Sequence, residues 1–164
     1  MRRVRYSVAV SLDGYIAGPK GEADWIIMDP EIDFAALMEQ FDTFLLGRRT
    51  FEPMAHVGKG ETPGVKTFVF SRTLRQQDYP GVTIVEGVEE TVAALRREPG
   101  KDIWLFGGGS LFRSLLDAGL VDTVEVAIMP VLLGGGIPLL APPARQKKLQ
   151  LTGHRVYPTG IVSL

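Results

Sequence analysis

Hydrophobic and polar positions change their period repeatedly along this chain. Near its start, apolar residues alternate with Arg5, Ser7 and Ser11, the two-residue rhythm of a strand, and short apolar runs recur further on. Strands are predicted at Val4 to Val10, Thr43 to Leu46, Lys66 to Phe70, Val82 to Val85, Asp102 to Phe106, Thr123 to Met129, Leu149 to Val156 and Gly160 to Leu164. Between them the spacing turns helical. Phe34, Leu37, Met38 and Phe41 share one face, Val88, Val92 and Leu95 a second, and Leu111, Leu115 and Leu116 a third. Pro99-Gly100 stops the second helix and Gly119 the third, while a further short helix opens after Gly47. Strand and helix alternate, then strands dominate the C-terminal part. The pattern predicts a three-layer α/β fold whose main sheet is mostly parallel, with antiparallel C-terminal strands. No linker, repeat or low-complexity stretch divides residues 1–164, so a single domain is expected.

Composition narrows the function without naming it. The 164 residues are 45% hydrophobic with a net charge of -1, which argues against disorder and against nucleic acid as a partner. No apolar run reaches the roughly 18 residues of a membrane span, and Met1-Arg2-Arg3-Val4 leads into the alternating pattern rather than a signal-peptide core. Absence of Cys excludes disulfides and thiolate chemistry and fits a cytoplasmic protein. His56 and His154 have no ligand spacing, so no metal site is expected.

The candidate chemistry gathers at strand ends. Ile103 to Phe106 runs into Gly107, Gly108, Gly109 and Ser110 and then into a helix. Unpaired N–H groups at a helix opening carry the positive end of its dipole and receive a diphosphate without a charged side chain. Such a turn also serves simply to pack a helix on a sheet. Two further strand ends carry phosphate-compatible groups: Gly47, Arg48, Arg49 and Thr50 after Leu46, and Ser71 and Arg72 after Phe70. In a parallel sheet all three fall on the edge where ligands bind, and Arg suits phosphate through its planar fork.

Ser11-Leu12-Asp13-Gly14-Tyr15-Ile16-Ala17, Leu46 to Glu52, Phe70-Ser71-Arg72, Phe106 to Ser110 and Pro130 to Leu139 follow one another in an order that resembles the dihydrofolate reductase-like superfamily, in the branch similar to the reductase domain of bacterial riboflavin biosynthesis. The resemblance covers nearly the whole chain. It implies NADPH as cofactor, with Ala9, Val10, Ile16 and Ala17 near the nicotinamide. Gly47, Arg48, Arg49 and Thr50 are implied at the pyrophosphate and 2′-phosphate, Ser71 and Arg72 around the adenosine ribose and its phosphate, and Phe106, Gly107, Gly108, Gly109, Ser110 and Leu111 around the pyrophosphate. The Arg pair favours NADPH over NADH on its own chemistry, since an added dianionic phosphate needs cationic donors.

The substrate side departs from the folate enzymes. Those enzymes carry an acid a few positions after a Trp. Here Trp25 is followed by Asp29, Glu31 and Asp33, with Asp33 the best match, either as the group assisting protonation or as the cap of the helix near Phe34. Asp13 either positions substrate or forms a turn with Gly14. Trp25 and Phe51 could each stack on a flat heterocycle or pack inside the protein. Val65 stands where the folate enzymes hold the substrate's carboxylate tail with an Arg, so dihydrofolate is expected to be a poor substrate. The expected activity is hydride transfer from NADPH to a small heterocyclic substrate, pterin- or pyrimidine-like. The alternative is an NADPH-binding module without turnover. The apolar segment Val131 to Leu140 and the C-terminal strands predict a homodimer with Ile128 to Leu140 at or near the contact.

Overall fold

The computed structural model describes residues 1–164. Its main sheet has eight strands: β1 (Val4–Ser11), β3 (Phe41–Gly47), β4 (Lys66–Phe70), β5 (Thr83–Val85), β6 (Asp102–Gly107), β7 (Thr123–Met129), β9 (Arg155–Val156) and β10 (Val162–Ser163). They lie in the order β5-β4-β3-β6-β1-β7-β10-β9. The first six are parallel, and β10 and β9 add antiparallel to β7 and to each other. Strands β2 (Tyr15–Ala17) and β8 (Ile137–Pro138) form a separate antiparallel pair. Four helices cover the sheet: α1 (Phe34–Met38), α2 (Arg48–His56), α3 (Val88–Arg97) and α4 (Gly109–Asp117).

Central parallel strands are buried on both faces, so successive residues feed opposite cores. Val4, Tyr6, Leu45, Ile103 and Leu105 pack with Val92 and Leu95 of α3 and Leu111, Phe112 and Leu115 of α4. Phe44, Leu46, Val69 and Trp104 pack with Phe51 of α2, and Leu37 and Met38 of α1 rest on this second core. Helices on both faces complete the three layers. Arg5 breaks the apolar alternation of β1, yet is only 7% exposed. Its guanidinium donates to both carboxylate oxygens of Glu125 at 2.7 and 3.0 Å and to Gln40 at 2.7 Å, and lies 4.5 Å from the Phe41 ring centre.

Three expectations need correction. Phe41 opens β3 instead of continuing α1, which ends after five residues because Phe41 is drawn into the sheet core at 3% exposure. Of Leu149 to Val156 only Arg155–Val156 forms a strand, and of Gly160 to Leu164 only Val162–Ser163, with Leu164 still exchanging two backbone hydrogen bonds with Val126. Leu149 to Thr152 alternates as a strand would, but residues 143–154 make no backbone–backbone hydrogen bond, because no neighbouring strand lies alongside.

Candidate functional site

Strand order creates the site. From β3 the chain crosses through α2 to β4 on one side, and from β6 it crosses through α4 to β7 on the other, with α2 and α4 on opposite faces. Adjacent strands whose helices diverge in this way leave a crevice beyond their carboxyl ends, the ligand position of open α/β sheets. Register places Leu46 beside Gly107, with Phe106 bulged out between consecutive pairings. That bulge leaves Phe106 half-buried against Trp104 and Phe44.

Both helices start without a side-chain cap. Gly47 is the N-cap of α2 and Gly108 that of α4, and neither can supply an oxygen to the free N–H groups of the first turn. A methyl group built on Gly47 would lie 3.7 Å from the Gly107 carbonyl and the Gly108 nitrogen. One on Gly107 or Gly108 would lie 3.6 Å from the Thr50 hydroxyl, and Gly107 sits at φ +149°. Gly47, Thr50, Gly107 and Gly108 therefore form one cradle, whose Gly107-Gly108 peptide is cis. Its fit to a pyrophosphate is chemical: two helix dipoles, free N–H donors and no side chain in the way. Gly109 contributes differently, since a methyl there would come within 2.6 Å of the Pro138 carbonyl. Ser110 is exposed, whereas Leu111 is buried at 7% exposure.

Charges around the cradle are unequal. Arg48 reaches Glu52 at 3.3 Å across one helical turn and stays partly exposed, and Arg49 is exposed beside it. Arg72 lines a cavity of about 330 Å³ with Glu86, Glu89, Glu90 and Ser114. Those carboxylates were not anticipated, and they offset the positive charge of Arg72. The Ser71 hydroxyl accepts from the Thr73 and Leu74 N–H groups at 3.1 and 3.0 Å, building the turn after β4. A larger cavity of about 630 Å³, lined by Arg2, Arg96, Arg97 and Asp102 among others, opens at the amino ends of the strands, away from the cradle.

Beyond β1, Ala9 and Val10 lead into a loop locked from two directions. The Ser11 hydroxyl donates to Asp13 at 2.6 Å and accepts from the Tyr15 N–H at 2.9 Å. The Asp13 carboxylate also accepts from Leu133 N–H at 3.1 Å and Gly134 N–H at 2.7 Å. The Ser11 hydroxyl and these N–H donors hold its carboxyl at about 2. Tyr15 and Ala17 then pair with Pro138 and Ile137 of β8, with Ile16 between them at a shift of register, and Gly136, at φ +144°, lets the backbones close because a methyl there would collide with the Ala17 carbonyl. Asp13 is both turn former and cross-link to a segment 120 residues away.

Toward α1, the Trp25 indole donates to the Glu22 carbonyl at 2.9 Å and remains half-buried. Asp29 is buried and held by Thr159, Glu31 pairs with Arg155 at 2.9 Å, and exposed Asp33 caps α1 by accepting from Ala36 N–H at 3.0 Å. Phe51 requires a correction: at 1% exposure and edge-on to Tyr79 it is a core residue, so it offers no face to a substrate. The apolar demand of the second core outweighs its proximity in sequence to the Arg pair. No group of three or more His, Asp or Glu is arranged to hold a metal, and no helix is long and apolar enough to cross a membrane.

Residues 2–163 match the RibD C-terminal domain family. An uncharacterized protein of Bacillus subtilis (strain 168), YyaP, is 38% identical over 175 aligned positions, covering 99% of this chain and 93% of that protein. Among solved structures, a protein from Shewanella sp. PV-4 provisionally assigned to riboflavin biosynthesis superposes with a TM-score of 0.81 at 28% identity, covering 99% of this chain and 96% of that one. Dihydrofolate reductase from Enterococcus faecalis, solved with NADP(H) and RAB-propyl, superposes at 0.67 with 22% identity over 98% and 94%. A deaminase/5-amino-6-(5-phosphoribosylamino)uracil reductase from Thermotoga maritima superposes at 0.69 with 18% identity over 99% of this chain and 55% of that one. The last two share the fold, the dihydrofolate reductase-like one expected above.

Proposed function

We propose, from the premise that this chain belongs to the RibD C-terminal domain family, that it is an NADPH-dependent reductase of a small pterin- or pyrimidine-like heterocycle. The observation that carries the reading is the glycine cradle between two uncapped helix openings. Gly47, Thr50, Gly107, Gly108 and the Ser110 and Leu111 backbone would hold the pyrophosphate, Arg48 and Arg49 the 2′-phosphate, with Ser71 and Arg72 toward the adenosine. Ala9, Val10, Ile16 and Ala17 would border the nicotinamide. Bound there, the cofactor supplies a hydride to an electron-poor carbon of the substrate. The chain orients both molecules, excludes water through the β2–β8 pair, and brings a proton to the neighbouring atom from Asp33 or a water beside it. Trp25 and Asp13 border the substrate, Asp13 through the loop it holds.

One observation favours the second reading, an NADPH-binding module without turnover: Asp29, Glu31 and Asp33 are each already engaged within the protein. Mixing the chain with NADPH and a panel of pterins and aminopyrimidinones separates the two. Oxidation of NADPH by any panel member supports the reductase, with dihydrofolate a poor acceptor because Val65 cannot pair with its tail. Tight NADPH binding with no oxidation across the panel supports the module, and absence of binding removes both.

The assembly proposed is a homodimer built on the C-terminal part, in a cytoplasmic setting. Leu132, Leu149, Leu151 and Val156 are each more than 60% exposed there, at 69%, 73%, 63% and 69%. Apolar exposure beside an unpaired backbone invites association.

A further inference from the structure

Of the three carboxylates between Trp25 and α1, two are exposed and one is buried. Asp29 is 3% exposed. One carboxylate oxygen accepts from the Glu31 N–H at 2.8 Å; the other accepts from the Thr159 hydroxyl at 2.6 Å and the Thr159 N–H at 3.3 Å. The Asp29 carbonyl also receives the Ile32 N–H at 3.0 Å, which carries the constraint to Asp33, the cap of α1. Thr159 is itself fixed. It sits in the turn between β9 and β10, closed by Tyr157 N–H to the Ile161 carbonyl and Gly160 N–H to the Tyr157 carbonyl, both at 2.9 Å, and Ile161 is fully buried. Glu31 and Arg155 add a second, exposed tie between the same two segments.

We propose that Asp29 is a positioning residue that, through Thr159, fixes the wall running from Trp25 to α1 against the C-terminal hairpin and transfers no proton. Its hydrogen bonds to Thr159 hold the carboxyl below its ordinary value, which suits an acceptor and not an acid. The effect on turnover rests on the reductase reading; the clamp itself rests on geometry alone.

Changing the other side of the contact tests this. Thr159→Val keeps the shape and leaves the Asp29 carboxylate in place but removes the hydroxyl, and Thr159→Ser restores it. Amide exchange at Glu31 and Ile32 should be about tenfold faster in Thr159→Val and close to normal in Thr159→Ser, the scale of one charge-assisted hydrogen bond. With the best acceptor of the panel, Thr159→Val should raise KM several-fold while kcat and NADPH affinity stay near those of the unaltered chain. Unchanged exchange in Thr159→Val would overturn the clamp. Normal turnover in Thr159→Val together with loss of kcat in Asp29→Asn would make Asp29 the acid and overturn the positioning role. Should the unaltered chain oxidise no NADPH, the reductase reading fails, and the exchange comparison still decides the clamp.

Discussion

Arg48 and Arg72 stand in different electrical surroundings, and this divides their duties. Arg48 has one partner, Glu52, at 3.3 Å on an exposed helix face, a contact easily exchanged for a phosphate. Arg72 shares its cavity with Glu86, Glu89 and Glu90, which repel the same phosphate. Arg48→Ala should weaken NADPH binding about tenfold or more while leaving NADH nearly unchanged, and Arg72→Ala should cost less. Titration of both cofactors by nicotinamide fluorescence checks this, and equal losses for NADPH and NADH would remove the 2′-phosphate role. The Arg residues and glycines could be read from the chain because chemistry at a strand end depends on neighbours in sequence. Glu86, Glu89 and Glu90 could not be placed near Arg72 that way, since β5 lies between in sequence and only its pairing with β4 brings the start of α3 back to Arg72. The choice between the two readings of Phe51 was closed to the sequence for the same reason: its burial depends on Phe44, Val69, Trp104 and Tyr79, which other elements supply.

At the level of elements, α1 is the least secure helix. It has five residues and no buried side chain, too few turns to persist on propensity alone. Its cap matters correspondingly. Asp33→Ala should cost about 1 kcal/mol of stability, whereas Asp33→Ser, which also caps, should cost much less. Urea denaturation reads the first effect. Turnover reads a different one, because a carboxyl that delivers a proton is lost equally in both variants. Similar activity in Asp33→Ser and the unaltered chain would leave Asp33 a cap and nothing more. The central strands were legible because burial on both faces leaves continuous apolar runs, as in Phe44-Leu45-Leu46 and Trp104-Leu105-Phe106. β2 and β8 carry no such mark. Their pairing depends on Asp13 reaching Leu133 and Gly134 and on the close approach at Gly136, a coincidence of distant residues that periodicity does not record.

For the molecule as a whole, acid should act through carboxylates that hold segments together. Asp13, Asp29, Asp42 and Asp102 all lie below their ordinary value of 3.8 in the folded chain. For Asp42 and Asp102 burial pushes the other way and is outweighed: by Lys101 N–H, Thr43 and Arg2 in one case, by Arg3 and Arg5 in the other. A lowered folded value contributes stability above the unfolded value and loses it as pH falls through the folded one. Stability should therefore hold from neutral pH down to about 5 and decline below about 4. For Asp13 the loss runs from 3.8 to about 2, so Asp13→Asn should flatten that part of the profile. Chemical denaturation across pH measures it, and a steeper acid loss in the variant would contradict the assignment. Assembly is tested by sedimentation velocity at micromolar concentration, where a homodimer is expected and a monomer would leave the apolar C-terminal surface unexplained.

The unpaired ribbon of residues 143–154 has a consequence for proteolysis. Arg145, Lys147 and Lys148 lie exposed in it, on a backbone with no hydrogen bond to the rest of the chain, which is the form in which a protease active site receives its substrate. Trypsin should nick a lone subunit there first, severing the segment that carries Thr159 and Ile161. If a second copy covers the ribbon, the nick becomes dependent on protein concentration: slow where subunits are paired, accelerating on dilution. Cleavage at the same rate per molecule at every dilution would mean that the ribbon is bare in solution.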